Sequence, residues 1–395
     1  MISLVLKIRL ILFRKVLSIL LFLLAKIVKV DDKLIIFSSF NGKAYSDNPR
    51  YLFEYLIENE AFADFQFVWA FKSKQKIEGA RVVRFNSLAY YYLLSKAKYW
   101  FFNSKMAPYY YKKREQIFLQ TWHGTPLKRL GHDIFDNGKT YYRSRLSYQQ
   151  MIKSYDDDAR HWDYLISPSE FSSQAFATAF KIKEEQILEM GYPRVDYLVK
   201  FNPEEILKLK KVYGLPLDKK IILYAPTWRD NRFGIRGYQF EMVVDFHKWK
   251  KILGQNTIIL FKPHYLISNI YQVPKDLTDF VYLMEANADI NDAYLMSDSL
   301  ITDYSSVFFD YANLNRPIYF YMYDFEEYEQ ELRGFYLNIP NDLPNDVITR
   351  EDDLLVKINN EDFDYERLRK FNQKFNLWND GKACSKVVKR IFNEN

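Results

Sequence analysis

Four short polar turns carry the residue types that handle phosphate. The stretch 300–321, LITDYSSVFFDYANLNRPIYFY, reads as a strand, a turn, a short helix over 307–314 and a second strand. Asp303, Ser305 and Ser306 fall in that turn, at a helix N-terminus. There, unpaired backbone N–H groups and the positive end of the helix dipole favour an anion, and two hydroxyls add donors without bulk. The same residue types also serve as plain helix caps, and both readings stand at this level. APTWRD, after the apolar run 221–224, holds Thr227 and Arg229, and KPH, after 257–261, holds Lys262 and His264. A guanidinium grips two phosphate oxygens at once, whereas lysine offers a point charge. HGTPLKRLG, after the run 116–122, places His123 beside Gly124 and Thr125.

The elements that must position these turns alternate along the chain. Apolar runs at 34–40, 66–71, 81–85, 99–103, 116–122, 164–167 and 187–190 are separated by helix-length segments, and runs at 221–224, 257–261, 281–284 and 300–302 repeat the pattern. Alternation of this kind predicts parallel sheets, with ligands beyond the carboxyl ends of the strands. A chain of 395 residues exceeds what one core usually holds. Two units are therefore expected, the first over 31–203 and the second over 204–360, with helical segments over 361–395 crossing back to the first.

Composition narrows the partners. The formal charge of +6 suggests an anionic one. Residues 1–30 hold no acid and place Lys7, Arg9, Arg14, Lys15, Lys26 and Lys29 among aliphatic side chains. On a helix all but Arg9 fall within an arc of roughly 120°, which leaves a broad apolar face. The longest uncharged run, 16–25, is about half of the ~20 residues a spanning helix needs, so a basic amphipathic helix lying on a membrane surface fits better than a spanning or signal segment. Nucleic acid is a poor fit, because this basic segment is interleaved with aliphatic rather than stacking residues. A single cysteine, Cys384, excludes an internal disulfide. No HExxH, cysteine pair or P-loop is present, so neither a metal nor a cofactor is expected. The acidic run 156–158 reads as a solvated helix end, and His132, His161 and His247 as structural.

With these turns in hand, the chain resembles the CDP-glycerol glycerophosphotransferase family of teichoic acid synthesis. The resemblance rests on FNGKAYSDNPRYL, QTWHGTPLKRLG, SPSEF, GYPRVDYL, YAPTWRD, FKPH, LITDYSSVFFDYANLNRPIYFY and RGFY, in the family's order from about residue 34 to 340. It implies an α/β GT-B architecture, two Rossmann-like domains facing a central cleft, with the second holding the CDP-linked donor. It also implies transfer of glycerol phosphate to a hydroxyl of a lipid-linked saccharide acceptor, with release of CMP, by a peripheral protein on the cytoplasmic face of the cell membrane.

Within that framework His123 is the candidate base and His264 a second catalytic group that donates to a phosphate or leaving oxygen. Thr227, Arg229, Lys262, Asp303, Ser305, Ser306, Asp310 and Arg333 are expected on the donor, and Asp47, Asn48, Gly124 and Thr125 on the acceptor side. The length favours a single-addition, primase-like role. CDP-ribitol use, polymerisation, sugar transfer on the same fold and an inactive membrane-bound scaffold are the alternatives.

Overall fold

Strands buried on both faces set the architecture. Leu34, Ile35, Ile36 and Phe37 are each 1% exposed or less, and a strand of that kind needs helices on both sides of its sheet. The computed structural model describes residues 4–136, 146–227, 233–234, 237–238, 242–263, 271–285, 288–326 and 334–392. Among these, a first sheet joins β1 (Asp31–Ser38), β2 (Gln66–Phe71), β3 (Arg81–Arg84), β4 (Ala97–Phe102), β5 (Ile117–Gln120), β6 (Tyr164–Ser167) and β7 (Ile187–Glu189) in the order 3-2-1-4-5-6-7. All its pairings are parallel, Ile36 lying between Val68 and Trp100. Its helices are α1 (Leu4–Ile27), α2 (Asp47–Ile57), α3 (Leu88–Lys96), α4 (Tyr148–Ala159), α5 (Glu170–Phe180) and α6 (Pro193–Val199).

After α7 (Pro203–Val212) the second sheet begins with β8 (Lys220–Ala225). A small antiparallel hairpin, β9 (Phe233–Gly234) and β10 (Gly237–Tyr238), and α8 (Phe246–Leu253) follow it. Then come β11 (Thr257–Phe261), β12 (Val281–Leu283), α9 (Ile290–Met296), β13 (Ser299–Thr302), α10 (Val307–Ala312), β14 (Ile318–Tyr321) and β15 (Val347–Ile348). The order is 12-11-8-13-14-15, parallel throughout, so each sheet reverses its strand order beside its first strand. Such reversals open a crevice at the carboxyl ends of the strands.

The chain closes through α11 (Glu351–Asn359), α12 (Tyr365–Phe375) and α13 (Ala383–Phe392). Leu354 and Leu355 of α11 and Leu368 and Phe371 of α12 pack on the second sheet. Cys384, Val387, Val388 and Ile391 of α13, spaced three and four apart, instead join Ile35, Phe37 and Phe101 of the first. The N-terminus of α13 is held by Asp196 of α6, whose two carboxylate oxygens accept the backbone N–H groups of Ala383 and Cys384 at 2.9 and 2.8 Å. Helix α1 docks one side on the first sheet's helical layer through Leu17, Leu21 and Leu24, while Ile11, Leu12, Val16, Ile19, Leu20, Leu23 and Ile27 stay exposed beside the basic residues.

Ile391→Ala removes most of a side chain that is 2% exposed and is expected to cost about 2–5 kcal/mol, read as a lower urea midpoint for loss of first-sheet structure.

Candidate active site between the two sheets

The polar turns do converge. A cavity of about 580 Å³ lies between the sheets, lined on the first side by Phe40, Lys43, Asp47, His123 and Arg194 and on the second by Thr227, Lys262, Asp289, Ser305 and Ser306. One close approach joins the two motifs that the sequence puts forward. A Cβ built on Gly124 would stand 2.9 Å from the Ser306 hydroxyl, so the absence of a side chain lets the histidine turn meet the serine turn with that hydroxyl in place.

His123 follows β5 on a backbone that enters through Trp122 in the left-handed region, at φ 51°. Its Nδ1 lies 2.7 Å from the Asn103 carbonyl oxygen, which can only accept, so Nδ1 carries the proton and Nε2 keeps a lone pair. The Trp122 ring stacks on the imidazole at 4.6 Å and restricts its tilt. The residue is exposed where the ring opens onto the cavity, while protein packed on its other faces desolvates it there. That burial lowers its pKa below the ordinary imidazole value, against the opposing pull of the Asp47 carboxylate. The neutral ring at neutral pH is a base.

On the second side, Lys262 leaves the end of β11 and donates to the carbonyls of Glu285 and, at 3.1 Å, Ala288. Burial pushes its pKa down to about 8, against Asp289 and Glu285. Asp303 is 3% exposed and accepts the Thr227 N–H at 2.7 Å, so it shapes the turn after β8 rather than lining the cavity. Helix α10 is only six residues long, ending at Ala312 instead of 314. Ser306 is its N-cap residue, yet the hydroxyl bonds no helix N–H, and the Ser305 hydroxyl reaches only Val307 N at 3.4 Å. Capping therefore leaves these hydroxyls almost unused.

Several residues expected on the ligand are committed elsewhere. Asp310 faces Arg194, whose Nε and Nη2 donate to its two oxygens at 2.9 and 3.0 Å, while Nη1 donates to Asp47 at 2.8 Å. Burial raises the pKa of the Asp310 carboxyl, and against burial the paired carboxylates raise that of Arg194. A guanidinium donating to both oxygens decides for the ionised form. Asn48 is fully buried, donating to the Thr121 carbonyl at 3.0 Å and accepting the Arg194 N–H at 3.1 Å. Thr125 is 3% exposed, its hydroxyl without a partner among the described residues. Neither Asn48 nor Thr125 lines the cavity. Arg229, His264 and Arg333 lie outside the described residues. Next to Arg333, Gly334 and Tyr336 pair with Leu127 and Arg129, joining the two sides along the histidine turn.

Asp158 corrects the reading of its acidic run. It is 2% exposed, accepts the Met106 N–H at 2.9 Å and is pushed up to about 7 by burial. Arg194, Asn103 and Asp289 were not singled out from the sequence. Arg194 left little trace, since Asp196 two positions on in PRVDYLV offers a local carboxylate and nothing nearby marks the arginine as buried.

Two opposed doubly wound sheets with a polar cleft at their carboxyl ends define a GT-B-like fold. A family model described as CDP-Glycerol:Poly(glycerophosphate) glycerophosphotransferase matches residues 20–393, and the chain belongs to that family. The teichoic acid glycerol-phosphate transferase of Staphylococcus aureus is 39% identical over 374 residues, 92% of this chain and 93% of that protein. The teichoic acid poly(glycerol phosphate) polymerase of Staphylococcus epidermidis is 40% identical over 368 residues; the match takes in 91% of this chain and spans about half the length of that relative, 50%. A solved structure of the wall teichoic acid polymerase TagF, soaked with CDPG, superposes with a TM-score of 0.88 at 38% identity, covering 96% of this chain and 93% of that one.

Gly124→Ala should leave the protein folded, with an unchanged circular dichroism spectrum, while lowering turnover at least tenfold, because the added methyl turns the Ser306 hydroxyl out of its place.

Proposed function

We propose that the cleft transfers glycerol phosphate from CDP-glycerol to a hydroxyl of a lipid-linked saccharide, releasing CMP. The observation that carries this reading is His123, its Nδ1 proton held by a carbonyl and its Nε2 free, on a turn in close approach to Ser306. The names of the relatives support glycerol phosphate as the transferred unit, and the CDPG soak of TagF supports CDP-glycerol as donor.

In this mechanism the acceptor hydroxyl loses its proton to His123 Nε2 as its oxygen attacks the phosphorus that bears glycerol. The bond from that phosphorus to the bridging oxygen breaks, and CMP leaves with the electron pair. Negative charge grows on the phosphoryl oxygens and on the leaving CMP. Ser305, Ser306 and Thr227 supply hydroxyls to those oxygens. Lys262, still mainly protonated at neutral pH with a pKa of about 8, supplies positive charge. Arg229, His264 and Arg333 are assigned to the same diphosphate. Asp47 borders the acceptor side, and Gly124, behind His123, lets the serine turn come close.

The acceptor's lipid places the reaction at a membrane surface, and we assign α1 to that contact. No helix among the described residues is long and apolar enough to cross a membrane. The undocked side of α1 combines exposed aliphatic residues with exposed Arg9, Arg14, Lys15 and Lys26, the pattern of a helix seated in an anionic leaflet.

CMP release tests the reaction. Purified protein should release CMP from CDP-glycerol only when a lipid-linked disaccharide acceptor is present, with the number released per acceptor separating one addition from many. His123→Ala should reduce the rate by at least 10²-fold. Since the pKa of His123 is lowered, the acid limb of kcat/KM should fall below the ordinary imidazole range. Release from CDP-ribitol alone, or from a nucleotide sugar, would replace the donor.

Reversing charge at Arg14, Lys15 and Lys26 together should weaken co-sedimentation with phosphatidylglycerol vesicles at least tenfold, each cation contributing on the order of 1 kcal/mol. Unchanged sedimentation would remove α1 from the membrane.

A further inference from the structure

A continuous buried hydrogen-bonded chain connects the donor-side helix to the proposed base. It begins at Asp310 on α10, directly beyond Ser305 and Ser306, and both Asp310 oxygens accept from Arg194 at 2.9 and 3.0 Å. Arg194 Nη1 donates to Asp47 Oδ1 at 2.8 Å. The other oxygen of Asp47 accepts Asn103 Nδ2 at 2.5 Å, and the carbonyl oxygen of Asn103 accepts His123 Nδ1 at 2.7 Å. Asn103 cannot reverse its amide, because its Oδ1 accepts the Phe40 N–H at 2.7 Å. Arg194, Asp47, Asn103 and Asp310 are between 0 and 8% exposed.

A fastener between two lobes needs one carboxylate on the far side. Arg194 takes a second on its own side, Asp47, and Asp47 in turn holds the residue that holds the His123 ring. The backbone of Arg194 is fixed as well, its N–H on Asn48 Oδ1 at 3.1 Å and its carbonyl accepting Asn291 Nδ2 at 2.8 Å from the second side. Motion of α10 therefore reaches the imidazole through groups that are nearly buried and touch solvent only where Asp47, Arg194 and Asp310 border the cavity. The charged groups that face His123 are Asp47 at the start of α2, Arg194 on α6 and Lys105 in the segment after β4. Asp47 favours the imidazolium, and the two cations oppose it.

We propose that Arg194 is a positioning residue of the transfer reaction, setting the orientation and protonation of His123 according to where the donor-side helix sits. This rests on His123 being the base. Seating a diphosphate on the Ser305–Ser306 turn then also sets the group that receives the acceptor's proton.

The test follows the His123 signal in the 15N spectrum of the full-length protein, a chain with five histidines, together with the pH dependence of CMP release. His123→Gln identifies the signal. In Asp47→Asn the His123 pKa and the acid limb of the rate should move down by about 0.5–1 unit, and in Arg194→Met they should move up. Asp310→Asn, on the opposite lobe, should lower kcat about tenfold with the donor KM within about twofold, and weaken the preference for a proton on Nδ1. Should Arg194→Met fail to fold, the two isosteric asparagine variants decide alone. A His123 pKa and tautomer unchanged in the folded variants, with His123→Gln still inactive, would reduce Arg194 to a fastener. Full activity of His123→Gln would instead overturn the base, and the proposal with it.

Discussion

A guanidinium held between two carboxylates, nearly without water, is the constraint on which the two-lobed arrangement depends. Arg194 cannot be left alone in such a place. Removing one member of a buried ion group typically costs about 3–5 kcal/mol, because an uncompensated charge stays behind. The lobes meet where Asp47 and Asp310 can both reach it, and a second pair, Arg50 with Asp289 at 2.9 Å, reinforces the same orientation. The neighbours of Arg194 in sequence take up the remaining joints. Tyr192 N–H donates to Asn379 at 3.0 Å, and Gly191, at φ 81°, leaves room for the Trp378 carbonyl, which a Cβ would approach to 2.4 Å. One short segment thus ties both sheets and the C-terminal helices together.

The cleft floor is held under conformational tension. Phe40, Asn41, Asp47 and Trp122 all adopt positive φ, a region that costs a side-chain-bearing residue on the order of 1–3 kcal/mol. Buried carboxamides keep them there. Gln120 accepts the Trp122 N–H at 3.0 Å, Asn103 accepts that of Phe40, and Asn48 donates to the carbonyl of Thr121. Asn48 thus serves the site from behind, as part of the frame that fixes the turn of His123.

Much of the fold was legible because parallel strands buried on both faces leave short apolar runs that periodicity detects directly. The strand-end turns were legible for the same reason, which is why His123, Lys262, Ser305 and Ser306 could be named and do border one cavity. What stayed hidden was pairing over distance. Arg194 lies 147 positions from Asp47 and 116 from Asp310, and nothing local distinguishes those carboxylates from ligand-binding ones. Asn103 contributes to the His123 environment through its backbone carbonyl, a group every residue has. Asp158 was misread because Asp156 in the same run does reach solvent, while its own side chain turns inward to Met106.

The return of α13 to the first sheet governs the order in which the molecule can be assembled. Ile35 and Val387 share one core, yet about 350 residues are synthesised between them. The ribosome therefore delivers every strand of the first sheet, then the whole second sheet, before the helix that covers the first becomes available. Until then one flank of the older half stays uncovered, with Phe37 and Phe101 among the side chains waiting for it. The helices that cover the half made later all precede α13 in the chain.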